Sequence, residues 1–242
     1  MVGSLRHRLA PRRPFVPDFP SPATLTVPQS GPAWKRDILL RMRRHLLLKL
    51  VGISAFMWLF FVGYFHVLRH PAYAVTTMPL TALDLAIPFQ PSALALYVSL
   101  WLYVGIAPGL QLTLRELVVY GLWAAALCLA GLGCFYFWPT AVPPQAVDVI
   151  DHPAFRMLQG VDAAGNACPS LHVATAMFSA LRLGRLLRDL RAPAAFGWAN
   201  TTWFVAIAYS TMAIKQHVLL DVIAGALLGL AFAAPALWRR RG

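Results

Sequence analysis

Two short stretches hold side chains suited to phosphoryl chemistry. One reads Asn166-Ala167-Cys168-Pro169-Ser170-Leu171-His172, the other Ser210-Thr211-Met212-Ala213-Ile214-Lys215-Gln216-His217-Val218-Leu219-Leu220-Asp221. Each is expected to open an apolar helix with a histidine in its first turn. Asp221 follows His217 by four residues, which puts the pair on one helix face. A carboxylate bonded to one ring nitrogen fixes the tautomer and raises the basicity of the other nitrogen. His217 is thus the candidate nucleophile toward phosphorus, with Asp221 as its partner and a phosphohistidine as intermediate. The plainer reading is a His–Asp contact that satisfies itself between helices.

The first stretch adds a proton donor and a seat for an anion. Pro169 suits the first position of a helix. Ser170 and His172 then project from the first turn, where free N–H groups and the positive dipole end attract anions. Ser170 is read as a donor to a phosphate oxygen, and His172 as the general acid for a leaving alkoxide. Asn166 is read as a helix cap or a headgroup contact. Lys215 and Gln216 stand beside His217 as phosphate contacts, with a plain interfacial lysine as the alternative for Lys215. A zinc site of His172, His217 and Asp221 is the rival arrangement. The chain has no close His-x-x-x-His or Cys pair, and serine and lysine alongside suit an anion better, so neither metal nor cofactor is expected.

The elements that position these residues are membrane spans. The chain has 242 residues, 59% hydrophobic and 12% charged, too apolar for a soluble domain. Apolar runs of spanning length recur. The expected fold is all-α, a polytopic six-helix membrane bundle with spans near 46–68, 92–110, 117–138, 168–187, 193–212 and 217–238. Residues 1–33, with seven prolines and four arginines, are expected to be a disordered tail ahead of a membrane domain over 34–242. They hold no apolar core of the signal-peptide kind, so none is expected. A basic stretch after the tail suits a surface helix and contact with anionic lipid, or a plain topology signal.

With the N-terminus in the cytosol, 18 of the 21 Lys/Arg fall on the cytosolic side, leaving Arg69, Arg156 and Lys215 outside. That asymmetry fixes orientation and makes both termini cytosolic. It also places Ser170, His172, His217 and Asp221 at the extracytoplasmic face. The net charge of +12 therefore records topology, and no nucleic-acid partner is expected. In the outer connection over 139–167, Asp148, Asp151, His152, Arg156 and Asp162 are headgroup contacts or merely solvated. Cys128, Cys134 and Cys168 read as small buried residues, with a Cys134–Cys168 bridge as the alternative.

Pro169-Ser170-Leu171-His172 followed by Ser210-x6-His217-x3-Asp221 resembles the type 2 phosphatidic acid phosphatase superfamily. The resemblance implies a six-helix membrane core acting on lipid phosphates, with His217 as nucleophile, Asp221 as its partner, His172 as acid and Ser170 on phosphate. Two features depart from the common pattern: no Lys-x6-Arg-Pro motif precedes the first histidine, and the usual Ser-Arg pair reads Ser210-Thr211. These departures look like the inositol phosphorylceramide synthase (aureobasidin-resistance) branch. Pro169-Ser170-Leu171-His172-Val173, Gln216-His217-Val218-Leu219-Leu220-Asp221 and Leu83-Asp84-Leu85-Ala86-Ile87-Pro88-Phe89 are similar to its motifs, with Val218 in place of a tyrosine. By that resemblance Asp84 touches a headgroup or acceptor hydroxyl, or is an ordinary interfacial aspartate.

The implied activity is transfer of a phosphorylated headgroup, such as phosphoinositol, from a phospholipid donor to a lipid alcohol. The alternatives are a lipid phosphatase, with water as acceptor, and a non-catalytic lipid carrier or scramblase.

Overall fold

Hydroxyl side chains cap three of the helices, at Thr81, Thr113 and Ser170, and left-handed residues follow others, at Arg191 and Lys215. The computed structural model describes residues 32–144 and 165–238. The tail up to residue 31 lies outside the described residues, as do Asp148, Asp151, His152, Arg156 and Asp162. The basic stretch forms helix α1 (Ala33–Arg43). His45, in the left-handed region at φ 56°, separates it from α2 (Leu46–Arg69). The buried Lys49 ammonium donates to the Arg41 carbonyl at 2.6 Å and the Gly109 carbonyl at 2.7 Å. It thereby ties α1 to the C-terminal end of the helix Leu100–Gly109.

Thr81 and Asp84 cap the short α3 (Ala82–Ala86) reciprocally. A turn at Pro91–Ala93 leads into α4 (Leu94–Val98) and α5 (Leu100–Gly109). Thr113 caps α6 (Leu114–Phe137), its hydroxyl accepting the Glu116 N–H at 3.2 Å. The C-terminal half supplies α7 (Leu171–Asp189), α8 (Ala194–Ala213) and α9 (Leu219–Trp238).

Three stretches are long and apolar enough to cross a bilayer: Leu46–Arg69, Pro91–Gly109 and Leu114–Phe137. The protein is a mostly helical integral membrane protein. The helices α7, α8 and α9 occupy the other three expected positions. α7 is less apolar because it is the central helix, packed by α5, α6, α8 and α9. Its buried surface carries His172, Ser179 and Arg182 among Val173, Ala174, Ala176 and Phe178.

α9 approaches α7 through Gly225 and Gly229. A Cβ on Gly225 would strike the Ser170 carbonyl, and one on Gly229 the Ala174 carbonyl. This small-x-x-x-small contact lets two backbones touch. At the N-terminal end of α7 the Ser170 N–H donates to the Asp221 carbonyl at 3.0 Å. The two motifs, distant in sequence, are therefore joined backbone to backbone.

The all-α expectation omitted two strands, β1 (Thr76–Thr77) and β2 (Thr140–Ala141), which pair in parallel. Asn166 bridges to Thr140 beside them. Two-residue strands have no alternation to read, so no sequence pattern announces them. They follow the C-terminal ends of α2 and α6, and the Thr140 hydroxyl of β2 accepts the Cys168 N–H just ahead of α7 at 2.7 Å.

Candidate active site

His172 sits in the first turn of α7. Ser170, not Pro169 or Asn166, is the N-cap, its hydroxyl accepting the Val173 N–H at 3.3 Å. The His172 ring stacks on Tyr97 with centroids 3.9 Å apart, and its Nε2 lies 3.0 Å from the Tyr97 carbonyl. A carbonyl only accepts, so Nε2 carries a hydrogen there and Nδ1 is the nitrogen left for proton transfer. Trp101 closes on the same ring edge-on at 6.2 Å.

The second stretch does not open a helix as a whole. Ser210, Thr211, Met212 and Ala213 end α8, Lys215 turns at φ 63°, and α9 begins only at Leu219. His217 precedes that helix because Asp221 caps it: Oδ2 accepts the Val218 N–H at 3.0 Å. The expected contact nevertheless forms, with His217 Nδ1 3.5 Å from Asp221 Oδ2. Asp221 is fully buried. Among the described residues, three buried side-chain polar atoms make no hydrogen bond: Gln216 Oε1, His217 Nδ1 and Asp221 Oδ1. Such atoms are costly, and here all three fall within six residues of one run. Catalytic pairs often stand loose in this way until substrate tightens them.

A cavity of about 920 Å³ brings His172, His217, Lys215, Gln216 and Asn166 into one wall. Ser170, Asp221 and Asp84 lie behind that wall. Asn166 donates its amide to the Tyr64 hydroxyl and so ties α2 to the site. Lys215 donates to the carbonyls of Asp84 at 3.0 Å and Ile87 at 2.5 Å. Its ammonium is thus partly committed to the loop that carries Asp84.

The Asp84 carboxylate accepts the Leu219 N–H through Oδ1 at 2.8 Å. Through Oδ2 it accepts the N–H and hydroxyl of Thr81 at 2.8 and 2.7 Å. It therefore caps α9 from a distant part of the chain. Burial pushes its carboxyl upward, but the bonds from Thr81 and Leu219 and the charge of Lys215 outweigh this and hold it below the usual carboxylate value. Its stabilisation is present above the unfolded carboxylate pKa and is lost as pH falls through the lowered folded one. Asp84→Ala is expected to cost about 2 kcal/mol, as charged hydrogen bonds do, and to lower activity by loosening the turn at His217. Thermal unfolding in detergent checks this; an unchanged midpoint would rule out the capping role.

The three cysteines are free. Cys168 lies next to the site, just ahead of the Ser170 N-cap. Among the described residues, no cluster of His, Cys, Asp or Glu is arranged to hold a metal ion. Thr211 stands where the resemblance expects arginine. Its side chain is fully buried, its hydroxyl donates to the Ala208 carbonyl at 2.8 Å, and its own carbonyl receives the N–H groups of Gln216 and His217. Sequence reasoning did not find Tyr97, Trp101 or Tyr64, which stand in no motif. The Gly225-x3-Gly229 spacing was a legible signal that went unused.

An integral membrane bundle with a His–His–Asp site at one end of an apolar cavity defines a class of lipid-handling protein. Residues 92–234 match the profile of the PAP2 superfamily. The chain belongs to that superfamily, whose members are phosphatases or phosphotransferases, and it is an enzyme of that kind. No curated protein and no solved structure matches the chain.

Proposed function

We propose that the enzyme transfers a phosphorylated headgroup, in the manner of phosphoinositol, from a phospholipid to a lipid alcohol through a phosphohistidine on His217. The observation that carries this reading is the charge of the cavity wall. Among the described lining residues Lys215 is the only cation, and no carboxylate is present. Lys215 is moreover already bound to two carbonyls. A phosphate monoester carries up to two negative charges, a diester one. One partly committed cation in a dry site matches a diester, because uncompensated charge there is costly.

In the first step His217 Nε2 attacks phosphorus. The P–O bond to the donor's lipid alcohol breaks, and the leaving oxygen takes a proton that the resting, neutral His172 accepts from solvent at Nδ1 and passes on. In the second step His172 Nδ1 takes the hydroxyl proton of the acceptor. The acceptor oxygen forms the new P–O bond, and the P–N bond breaks to restore His217. Asp221 holds the His217 Nδ1–H throughout and stabilises the positive charge of the ring. Ser170 fixes the start of α7, and Gln216 and Asn166 line the phosphate seat.

Labelled phosphatidylinositol and a lipid alcohol, supplied to the purified protein in liposomes, test the reading. Label on the alcohol is expected. Inorganic phosphate released from phosphatidic acid, with no label on the alcohol, would leave a lipid phosphatase. Lipid moved between leaflets unchanged would leave a carrier.

The proposal includes orientation. All six long helices cross, the termini are cytosolic and the site faces outward, in keeping with the basic residues at the far end of the bundle. Single cysteines introduced at Pro144 and Gln216 are expected to react with an impermeant maleimide in intact cells, and one at Arg188 only after permeabilisation. The reverse pattern would invert the topology.

A further inference from the structure

The cavity does not end at the histidines. It continues along α6, lined by Phe135 and Leu127 and then by Gly121 and Leu117 towards the helix start. On the facing side it follows α2 from Tyr64 down to Gly52. Gly52 and Gly121 are both lining residues, and a Cβ built on either meets nothing within 4 Å. At these two positions the missing side chains are space in the cavity. This contrasts with Gly225 and Gly229, whose missing side chains are helix contact.

The length of this path sets what can fill it. Gly131 packs against Leu171, next to His172, and from Gly131 to Gly121 is ten residues of α6, or about 15 Å at the helical rise. A phospholipid chain in a bilayer occupies about 15 Å, half of the hydrocarbon core. An extended full-length chain that starts near the histidines therefore comes within reach of the two glycines, and a chain of half that length stops short. The wall is aromatic and aliphatic over this stretch, as a hydrocarbon requires.

We propose that Gly52 and Gly121 form the far end of a hydrocarbon-chain site and set the enzyme's preference for full-length lipid chains. This deepens the reading of function given above and rests on it for the identity of the reaction. Gly52 lies outside the region matched to the superfamily and Gly121 inside it.

Gly52→Leu and Gly121→Leu test it. Leucine is the better helix former, so neither change weakens its helix. With the acceptor held constant, donors carrying dioctanoyl and dioleoyl chains are compared; acceptor chains are then varied against a constant donor. The variants are expected to lose about tenfold or more in kcat/KM for the long-chain lipid, the scale on which pockets discriminate hydrocarbon. Short-chain turnover should stay within about twofold of wild type. The arm that shows the loss tells whether the slot holds donor or acceptor. Equal loss for both chain lengths, or no loss for either, overturns the proposal. Native mass spectrometry of lipid retained on purification reads the slot without turnover. Wild type should keep long-chain lipid that both variants release; unchanged retention overturns the slot even if the chemistry stands. Wild type that retains such lipid yet turns over no lipid phosphate would refute the reaction and leave the slot intact.

Discussion

His217→Ala is expected to abolish turnover while leaving the fold intact. The side chain is mostly buried at the cavity wall, and its ring nitrogens hold no other part of the protein: Nδ1 has only the 3.5 Å contact with Asp221. The turn around it is held instead by backbone bonds to the Thr211 carbonyl and by Asp84 on the Leu219 N–H. Removing the ring therefore costs little structure. On the proposed mechanism it does remove the atom that attacks phosphorus, and with it the covalent route, a loss on the order of three or more powers of ten. The check is turnover of labelled phospholipid alongside thermal unfolding. A folded variant working near the wild-type rate would falsify the nucleophile assignment.

Gly225→Leu is expected to unfold the C-terminal helices or to force them apart. A single added carbon already collides with the Ser170 carbonyl, and backbone, unlike a side chain, cannot turn aside. Overpacking of this kind costs about 3 kcal/mol or more. Any relief must move α9 away from α7, which parts the Ser170 N–H from the Asp221 carbonyl and His172 from His217. Loss of folded protein on size exclusion, or folded protein with activity reduced at least tenfold, is the expected outcome. Gly225→Leu with wild-type stability and activity would show that the close approach of the two helices is not needed.

The site was legible in outline because its chemistry is written in short runs. His217 and Asp221 are four residues apart, a spacing that survives even though His217 falls outside the helix. Ser170 and His172 sit at a helix start marked by proline. The role of Asp84 was not legible. Its bond to Leu219 crosses 135 residues, and nothing local to Leu83-Asp84-Leu85 says that its carboxylate caps a helix near the chain's other end. Lys215 carries the right charge in the right place, but its commitment to two carbonyls follows from the left-handed turn that aims it at residues 84 and 87.

By itself, the sequence determined which stretches are apolar, which end of the molecule carries positive charge, and which side chains are candidates to attack and protonate a phosphate. These follow from composition and local spacing, because hydropathy and helical period act over one or two turns. Only the tertiary structure decided that the two motifs meet. That meeting depends on Gly225 and Gly229 bringing α9 against α7 closely enough for backbone to bond backbone. It also decided that His172 is held through Tyr97, that one cation alone faces the cavity among the described residues, and that the cavity runs on past two glycines. These are properties of surfaces in contact, and a linear pattern of residue types does not encode which surfaces will touch.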